Sequence, residues 1–254
     1  MLNIDIIACL NDNYSYLIHN KEENIVGVVD PSEFKAVDNL VSKKYKKIDY
    51  ILNTHHHFDH VDGNLELKKK YKSKVISSTI DKNRIPGIDF SFNENEKFNF
   101  GNIVFDIILV PGHTKGHIAF YSKVENVIFT GDTLFSLGCG RIFEGTANQM
   151  YNSLQKFKNL PKITKIYCGH EYTKNNLDFC LKYDFNNKEL LKKSIWIKEQ
   201  LNKNLPTVPT SLGEELNTNI FLRCDNIAIK NNLEMKASSD KLIFEQLRRL
   251  KDEF

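Results

Sequence analysis

The sequence has 254 residues, of which 41% are hydrophobic and 26% are charged, so it suits a globular chain with one large domain and an appendage. The formal net charge of +3 is too small to indicate nucleic-acid binding. No segment approaches the ~18 apolar residues of a membrane-spanning helix, and the N-terminus lacks a signal-peptide pattern. Five cysteines without framework spacing are typical of reduced thiols, so we expect a cytoplasmic protein.

The first 170 residues alternate short β-rich segments with helical stretches. The segment "MLNIDIIACLNDNYSYLIHN" predicts a strand, a turn and a second strand. Further strands are predicted at 25–30, 48–54, 74–79, 102–110, 117–124, 126–132 and 162–170. Helices are predicted at 36–47, 64–72 and 147–160.

Helical patterns replace strands from about residue 172 onwards. Residues 188–201 have apolar side chains at helical spacing, and Ser211 with Glu214 matches a capping box. The last helix is predicted within 238–254, with Ser238 or Ser239 as its N-cap. We therefore expect an α+β catalytic domain at 1–171 and a helical domain at 172–254.

Histidine and aspartate side chains follow four of the predicted strands, next to a glycine in three cases. Sites are often built where rigid strands end in loops, and glycine lets the backbone turn sharply there. Imidazole combined with carboxylate suits Zn, Fe or Mn, so we interpret the set as a metal site. The candidate ligands are His55, His57, Asp59, His60, His113, Asp132 and His170.

Seven ligands exceed what one tetrahedral ion takes, which indicates two ions that share a carboxylate. Asp132 is the expected bridge because it comes alone from its own strand. His56 is expected to point away from the site, since His55 and His57 share the other side of an extended segment. For His117, at the start of the next strand, a supporting role and a purely structural role both stay open.

These residues belong to motifs that resemble glyoxalase II, the hydroxyacylglutathione hydrolases of the metallo-β-lactamase superfamily. "THHHFDH" (54–60) matches the T-H-x-H-x-D-H signature of the superfamily, which many hydrolases share. "GCGRIFEGT" (138–146) and "RRLKDEF" (248–254) are specific to the thioesterase branch. The resemblance covers essentially the whole chain, and its other motifs are "LNDNYSYLI" (10–18), "VVDPSE" (28–33), "PGHTKGH" (111–117), "YCGHEYTKNNL" (167–177) and "PTVPTSLGEELNTNIFLR" (206–223).

The resemblance implies a four-layer αββα sandwich followed by a helical domain that helps to bind glutathione. It also implies a binuclear metal centre, with Zn as the default and Fe or Mn as alternatives. The first metal is expected to be bound by His55, His57 and His113. The second is expected to be bound by Asp59, His60 and His170, with Asp132 bridging the two.

The residues that the resemblance assigns to glutathione binding are Arg141, Phe143, Tyr172, Arg248 and Lys251. Arg141 stands where the family often has Lys, and it offers a planar fork rather than a point charge. Phe143 stands where many members have Tyr, so one hydroxyl contact to the substrate is missing. Arg248 and Lys251 lie three residues apart on a predicted helix and could hold a carboxylate from one face.

The implied reaction is hydrolysis of S-D-lactoylglutathione to glutathione and D-lactate, the second step of methylglyoxal detoxification. A hydroxide between the two metals is the expected nucleophile, with Asp59 and Asp132 as the catalytic carboxylates. The leaving thiolate has an ordinary pKa of about 8.5, so no separate general acid is needed. We expect a monomer that binds neither nucleic acid nor membranes.

Four alternative functions share some of these sequence features. A sulfur dioxygenase acting on glutathione persulfide shares the first motif, but residues 172–254 argue against it. A β-lactamase would be secreted, and an RNA-processing nuclease would want a larger basic surface. A metal-binding scaffold without catalysis is disfavoured, because closed structural sites use four ligands.

Overall fold

The computed structural model describes all residues, Met1–Phe254, and the chain forms two compact units. The first unit comprises residues 1–109 and 115–131. The second unit comprises residues 110–114 and 132–254. No helix in either unit is both long enough and apolar enough to cross a membrane.

The first unit contains ten strands and three helices. Its strands are β1 (Leu2–Cys9), β2 (Asn13–Asn20), β3 (Ile25–Val29), β4 (Tyr50–Leu52), β5 (Lys74–Ser78), β6 (Ile88–Phe92), β7 (Lys97–Phe100), β8 (Ile103–Leu109), β9 (Ile118–Ser122) and β10 (Val127–Gly131). Its helices are α1 (Phe34–Lys44), α2 (Phe58–Val61) and α3 (Asn64–Tyr71).

Strands β1 to β6 form one sheet in chain order. The first three strands pair antiparallel, whereas β3, β4, β5 and β6 pair parallel. In the parallel part Val29 is the register partner of Leu52, which in turn is the partner of Ile76. The chain segments that follow β3 and β4 therefore leave the sheet at the same edge, and this edge positions the histidine-rich segment.

Apolar side chains cover both faces of this sheet. On one face Val37 and Val41 of α1 and Leu67 of α3 belong to one core cluster with strand residues such as Val28. On the other face β7 to β10 form an antiparallel arrangement whose aromatic rings meet the sheet, with the Tyr16 and Phe129 centroids 5.6 Å apart. Burial from both sides explains why the β3 and β4 sequences are continuous apolar runs rather than alternating ones.

The second unit is mainly helical. Its strands pair antiparallel as β11 with β12 and β13 with β14. They are β11 (Leu134–Phe135), β12 (Gly138–Cys139), β13 (Lys165–Cys168) and β14 (Thr210–Ser211). Its helices are α4 (Ala147–Lys158), α5 (Thr173–Tyr183), α6 (Lys188–Asn202), α7 (Leu212–Thr218), α8 (Ile227–Asn232) and α9 (Asp240–Asp252), with a 3-10 turn at Ile220–Leu222.

The predicted elements are present, with shifted ends. The helix predicted at 36–47 begins at Phe34 and ends at Lys44, because Lys46 adopts a left-handed φ of 61° that stops helix propagation. The capping box of Ser211 and Glu214 is confirmed at the start of α7, and Ser239 is the N-cap of α9. The helices α2, α5 and α8 and the strands β6, β7, β11, β12 and β14 were not predicted from the sequence.

Candidate metal and substrate sites

The histidine-rich segment of the first unit follows β4 directly. His55 is fully buried, and its Nε2 lies 3.1 Å from Nδ1 of His57. Helix α2 begins immediately afterwards at Phe58, so Asp59 lies in its first turn and His60 at its end. The strand end and the short helix thus bring the four predicted ligands of this unit together within six residues.

Asp30 follows β3 at the same edge of the sheet, and its side chain holds the histidine-rich segment through hydrogen bonds. Its carboxylate accepts hydrogen bonds from the Thr54 backbone N–H at 2.7 Å and the Thr54 hydroxyl at 2.6 Å. The second oxygen also lies 3.0 Å from Nδ1 of His60. Asp30 is buried and adopts a left-handed φ of 47°, a conformation disfavoured for most non-glycine residues. Such local strain commonly marks a functional position.

The contact with Asp30 determines how His60 presents its other nitrogen. A carboxylate only accepts hydrogen bonds, so the proton of His60 resides on Nδ1. The lone pair of His60 Nε2 is then 3.8 Å from Asp59 Oδ2, another acceptor. Asp59 is itself held by Asn13, whose amide donates to its Oδ2 at 3.0 Å. Two facing acceptors repel each other, and a cation between them converts that repulsion into attraction.

The second unit contains the same arrangement around Asp132. Nδ1 of His113 lies 2.8 Å from the carbonyl oxygen of Arg141 and therefore donates to it. Nε2 of His113 is left facing Asp132 Oδ2 at 3.5 Å, and Nε2 of His170 lies 3.3 Å from the same oxygen. One carboxylate oxygen thus stands between two imidazoles, as a bridging ligand would.

Within each unit, the distances between the imidazole nitrogens and carboxylate oxygens fit binding of a metal ion. Two atoms bound ~2.1 Å from one tetrahedral zinc lie about 3.4 Å apart. The His55–His57 pair at 3.1 Å and the Asp132 contacts at 3.5 and 3.3 Å are close to this separation. The partners that orient the imidazoles are a carboxylate and a carbonyl, which commonly support metal-binding histidines. The side chains present can therefore bind metal ions.

Two further histidines of the first unit differ in their surroundings. His56 turns towards Asp81, with 3.0 Å between its Nδ1 and Asp81 Oδ2. The ring of His117 is buried and stacks on His55, with centroids 4.7 Å apart and an interplanar angle of 18°. His117 therefore supports a predicted ligand by packing, which favours the supporting role over the purely structural one.

Arg141, Phe143 and Tyr172 are the more accessible of the five predicted glutathione-binding residues. Arg141 is exposed, and its Nε lies 3.8 Å from Asp252. Phe143 is 62% exposed and places its ring edge on His113 at 5.2 Å. Tyr172 stacks on His170 with centroids 4.6 Å apart and rings inclined by 2°. Both aromatic rings thus adjoin predicted metal ligands.

Arg248 lies in a different environment from the one expected of an exposed anchor. It is 4% exposed, and its guanidinium donates to the carbonyl oxygens of Cys139 at 2.7 Å and Gly140 at 3.4 Å. It also donates to Asp252 at 3.0 Å. Arg248 therefore holds the chain segment that leads into Arg141, which sequence spacing alone does not reveal.

Lys251 is half-buried on the same helix and donates to the backbone carbonyl of Asn175 at 3.2 Å. Desolvation, followed by the positive charge of Arg248, lowers the pKa of Lys251 to about 8. Arg141 contributes in the same direction. Arg141, Arg248 and Lys251 thus form a basic cluster, and a bound carboxylate would relieve the repulsion between their positive charges.

Cys139 in the "GCGR" segment is not a nucleophile. The thiol is buried, and burial raises its pKa to about 11. It is therefore protonated at neutral pH, whereas the thiolate is the reactive form.

Three residues that position the site were not predicted as site residues: Asn13, Asp30 and Thr54. Asp30 follows a strand directly, as the predicted ligands do, so its position at a strand end was a signal that could have identified it. Asn13 and Thr54 act through a side-chain amide and a hydroxyl, which carry no distinctive spacing in sequence.

Comparison with known proteins extends over the full chain. Residues 11–170 match the model of the metallo-β-lactamase superfamily, and residues 171–254 match that of the hydroxyacylglutathione hydrolase C-terminus. A protein of Pelagibacter ubique named hydroxyacylglutathione hydrolase is 52% identical over 253 residues, which cover 100% of both chains. The chain belongs to the hydroxyacylglutathione hydrolase family. The protein of that name from Bartonella tribocorum is 42% identical and covers 99% of both chains.

A solved structure shares the fold of this family member at lower sequence identity. ETHE1 from Myxococcus xanthus is 21% identical, with a TM-score of 0.68 over 98% of this chain and 91% of its own. The prediction of an α+β metallo-β-lactamase fold with a C-terminal helical region is confirmed. The predicted family is confirmed as well.

Proposed function

We propose that this family member is a thioesterase that hydrolyses S-(2-hydroxyacyl)glutathione, with S-D-lactoylglutathione as the expected substrate. The main support for this proposal is the full-length match at 52% identity to a protein named hydroxyacylglutathione hydrolase. The facing acceptors around Asp59 and Asp132, described above, support a metal-dependent hydrolase. Arg248 and Lys251, the two members of the basic cluster in the matched C-terminal region, support an anionic substrate.

The proposed metal centre uses the seven residues predicted from sequence. Two divalent cations bound at these residues would lower the pKa of a water and polarise the thioester carbonyl. Zn is the proposed metal, since imidazole and carboxylate ligands suit it, and Fe and Mn fit the same set. His55, His57 and His113 would hold the first ion, Asp59, His60 and His170 would hold the second, and Asp132 would be shared by both.

The remaining steps are assigned to side chains of this chain. Asp59, whose carboxylate accepts a hydrogen bond from the amide of Asn13, would orient the attacking water towards the carbonyl carbon. Arg141 and Lys251 would bind the glutathione carboxylates by charge-assisted hydrogen bonds. Phe143 and Tyr172 would line the path of the peptide, and Arg248 contributes to the cluster through its charge. The thiolate leaves without a general acid, because free thiols have pKa values of about 8.5.

We also propose that residues 1–171 form the catalytic domain and 172–254 the glutathione-binding domain, which the meeting of the two family models at residues 170 and 171 supports. We further propose that the enzyme is monomeric and cytoplasmic and that it acts in methylglyoxal detoxification. Size-exclusion chromatography with light scattering tests the monomer directly.

The deciding experiment is a thioester-hydrolysis assay on protein whose metal content has been measured. We expect saturable loss of the thioester absorbance of S-D-lactoylglutathione, with no oxygen uptake on glutathione persulfide. Protein with two metals per chain that leaves the thioester intact would contradict the proposal. Oxygen uptake in that case would indicate a sulfur dioxygenase instead.

A further inference from the structure

Asp81, His56 and Arg84 form a closed polar triangle in the first unit, beside the predicted ligands. The side chain of Asp81 is fully buried and accepts from Nδ1 of His56 at 3.0 Å. Arg84 donates from Nη2 to the other oxygen of Asp81 and from Nη1 to Nε2 of His56 at 3.1 Å. Each side chain of the triangle therefore contacts the other two.

The hydrogen-bond directions in the triangle fix the state of His56. A guanidinium only donates and a carboxylate only accepts. His56 must therefore carry its proton on Nδ1 and present its Nε2 lone pair to Arg84. This single arrangement locks the orientation of the His56 ring, and with it the backbone between His55 and His57.

Asp81 also contacts a second loop of the same unit through Gly116. A Cβ atom added to Gly116 would lie 2.1 Å from Asp81 Oδ1, so only glycine allows this close approach. The next residue, His117, stacks on the ring of His55. The backbone N–H of Ile118 donates to the carbonyl of Thr54 at 2.9 Å. Asp81 is thus packed against both chain segments that hold His55 in place.

We propose that Asp81, acting through His56, is a positioning residue that holds His55 and His57 ready to bind metal. The proposal rests on the metal centre of the proposed function, for which His55 and His57 are ligands. Asp81 contacts neither of them directly, so its contribution is to reduce the freedom of the segment before metal binds. Groups that hydrogen-bond directly to a metal-binding histidine commonly change metal affinity by about 10–100-fold when they are removed, and we expect the indirect effect of Asp81 to lie at the lower end of that range.

The test measures zinc release from zinc-loaded protein into an excess of a chromophoric chelator. The variants are Asp81→Asn, His56→Ala and His56→Asn, because the asparagine amide can donate to Asp81 in place of Nδ1. We expect the first two to release zinc about tenfold faster than the unmodified protein, at the lower end of the range for direct partners of a ligand. His56→Asn should restore the slow rate to within about threefold, since it keeps the donor.

Asp89→Asn is the matched control for a general loss of stability. Asp89 also accepts from a cation, Lys68, at 2.6 Å and from a backbone N–H, that of Val75, at 2.9 Å in the same unit. It should lower the unfolding temperature without changing zinc release.

Unchanged zinc release in both Asp81→Asn and His56→Ala would overturn the positioning role while leaving the proposed function intact. Equal acceleration in Asp89→Asn would overturn it too, because the effect would then be one of stability. If Asp81→Asn does not fold, His56→Ala against His56→Asn decides alone. Failure of the unmodified protein to retain zinc, iron or manganese would overturn both the inference and the metal centre.

Discussion

The histidine-rich segment of the first unit and the basic residues of the second unit were both predicted from motifs, yet their environments differ. Around His55 and His60, the partners Thr54 and Asp30 are buried, and each lies 3.0 Å from Nδ1 of its histidine. Among the basic residues, Arg248 is buried against backbone carbonyls, whereas Arg141 is exposed. The predicted ligands His55 and His60 are both buried beside orienting partners, whereas the basic cluster combines a buried arginine with an exposed one.

The largest expected effect concerns the carboxylate between two imidazoles. Asp132→Asn removes one negative charge from the proposed centre and should lower kcat by about a thousandfold, since cation stabilisation is worth several kcal/mol. Metal analysis and thioester kinetics check this together. Asp106→Asn serves as the control, because its carboxylate pairs with exposed Lys97 at 3.8 Å. Full activity of metal-depleted Asp132→Asn would contradict a role for the metal in hydrolysis.

The second prediction concerns Asp30, the carboxylate that contacts Thr54 and His60 in the histidine-rich segment. Asp30→Asn keeps the shape but weakens the hydrogen bond that orients His60 and should lower zinc affinity by about 10–100-fold. Competition with a chelator of known affinity measures the change. Asp38→Asn, which removes an exposed ion pair with Lys70, is the control. Unchanged zinc affinity would mean that Asp30 serves only the local backbone conformation.

Dense spacing explains why the histidine-rich segment could be read from sequence. Four of the predicted ligands fall between His55 and His60, immediately after an apolar strand, and the strand end and the short helix α2 bring them together. Arg248 was correctly placed on a helix, but helical spacing does not reveal the carbonyl groups of Cys139 and Gly140 that it contacts. Those carbonyls lie more than a hundred residues away in sequence, so only the tertiary fold shows them.

The third prediction separates Arg248 from Lys251. Arg248→Ala leaves buried carbonyls without their donor and should lower the free energy of unfolding by about 3 kcal/mol. Lys251→Ala removes a half-buried cation and should instead raise KM for the thioester about tenfold, with the free energy of unfolding little changed. Chemical denaturation and steady-state kinetics on both variants measure the two effects. Equal KM increases at wild-type stability would restore Arg248 as a direct anchor.

The smallest expected effect is a pH dependence of substrate binding through Lys251. Its pKa, lowered to about 8 by burial, means that the ammonium is charged below pH 8 and loses its proton as the pH rises through that value. If the charged form binds a glutathione carboxylate, KM should rise above pH 8, by at most about tenfold at pH 9, while kcat is unaffected. Lys251→Arg keeps its charge over this range and should flatten the KM profile. The same rise in both proteins would show that the titrating group is not Lys251.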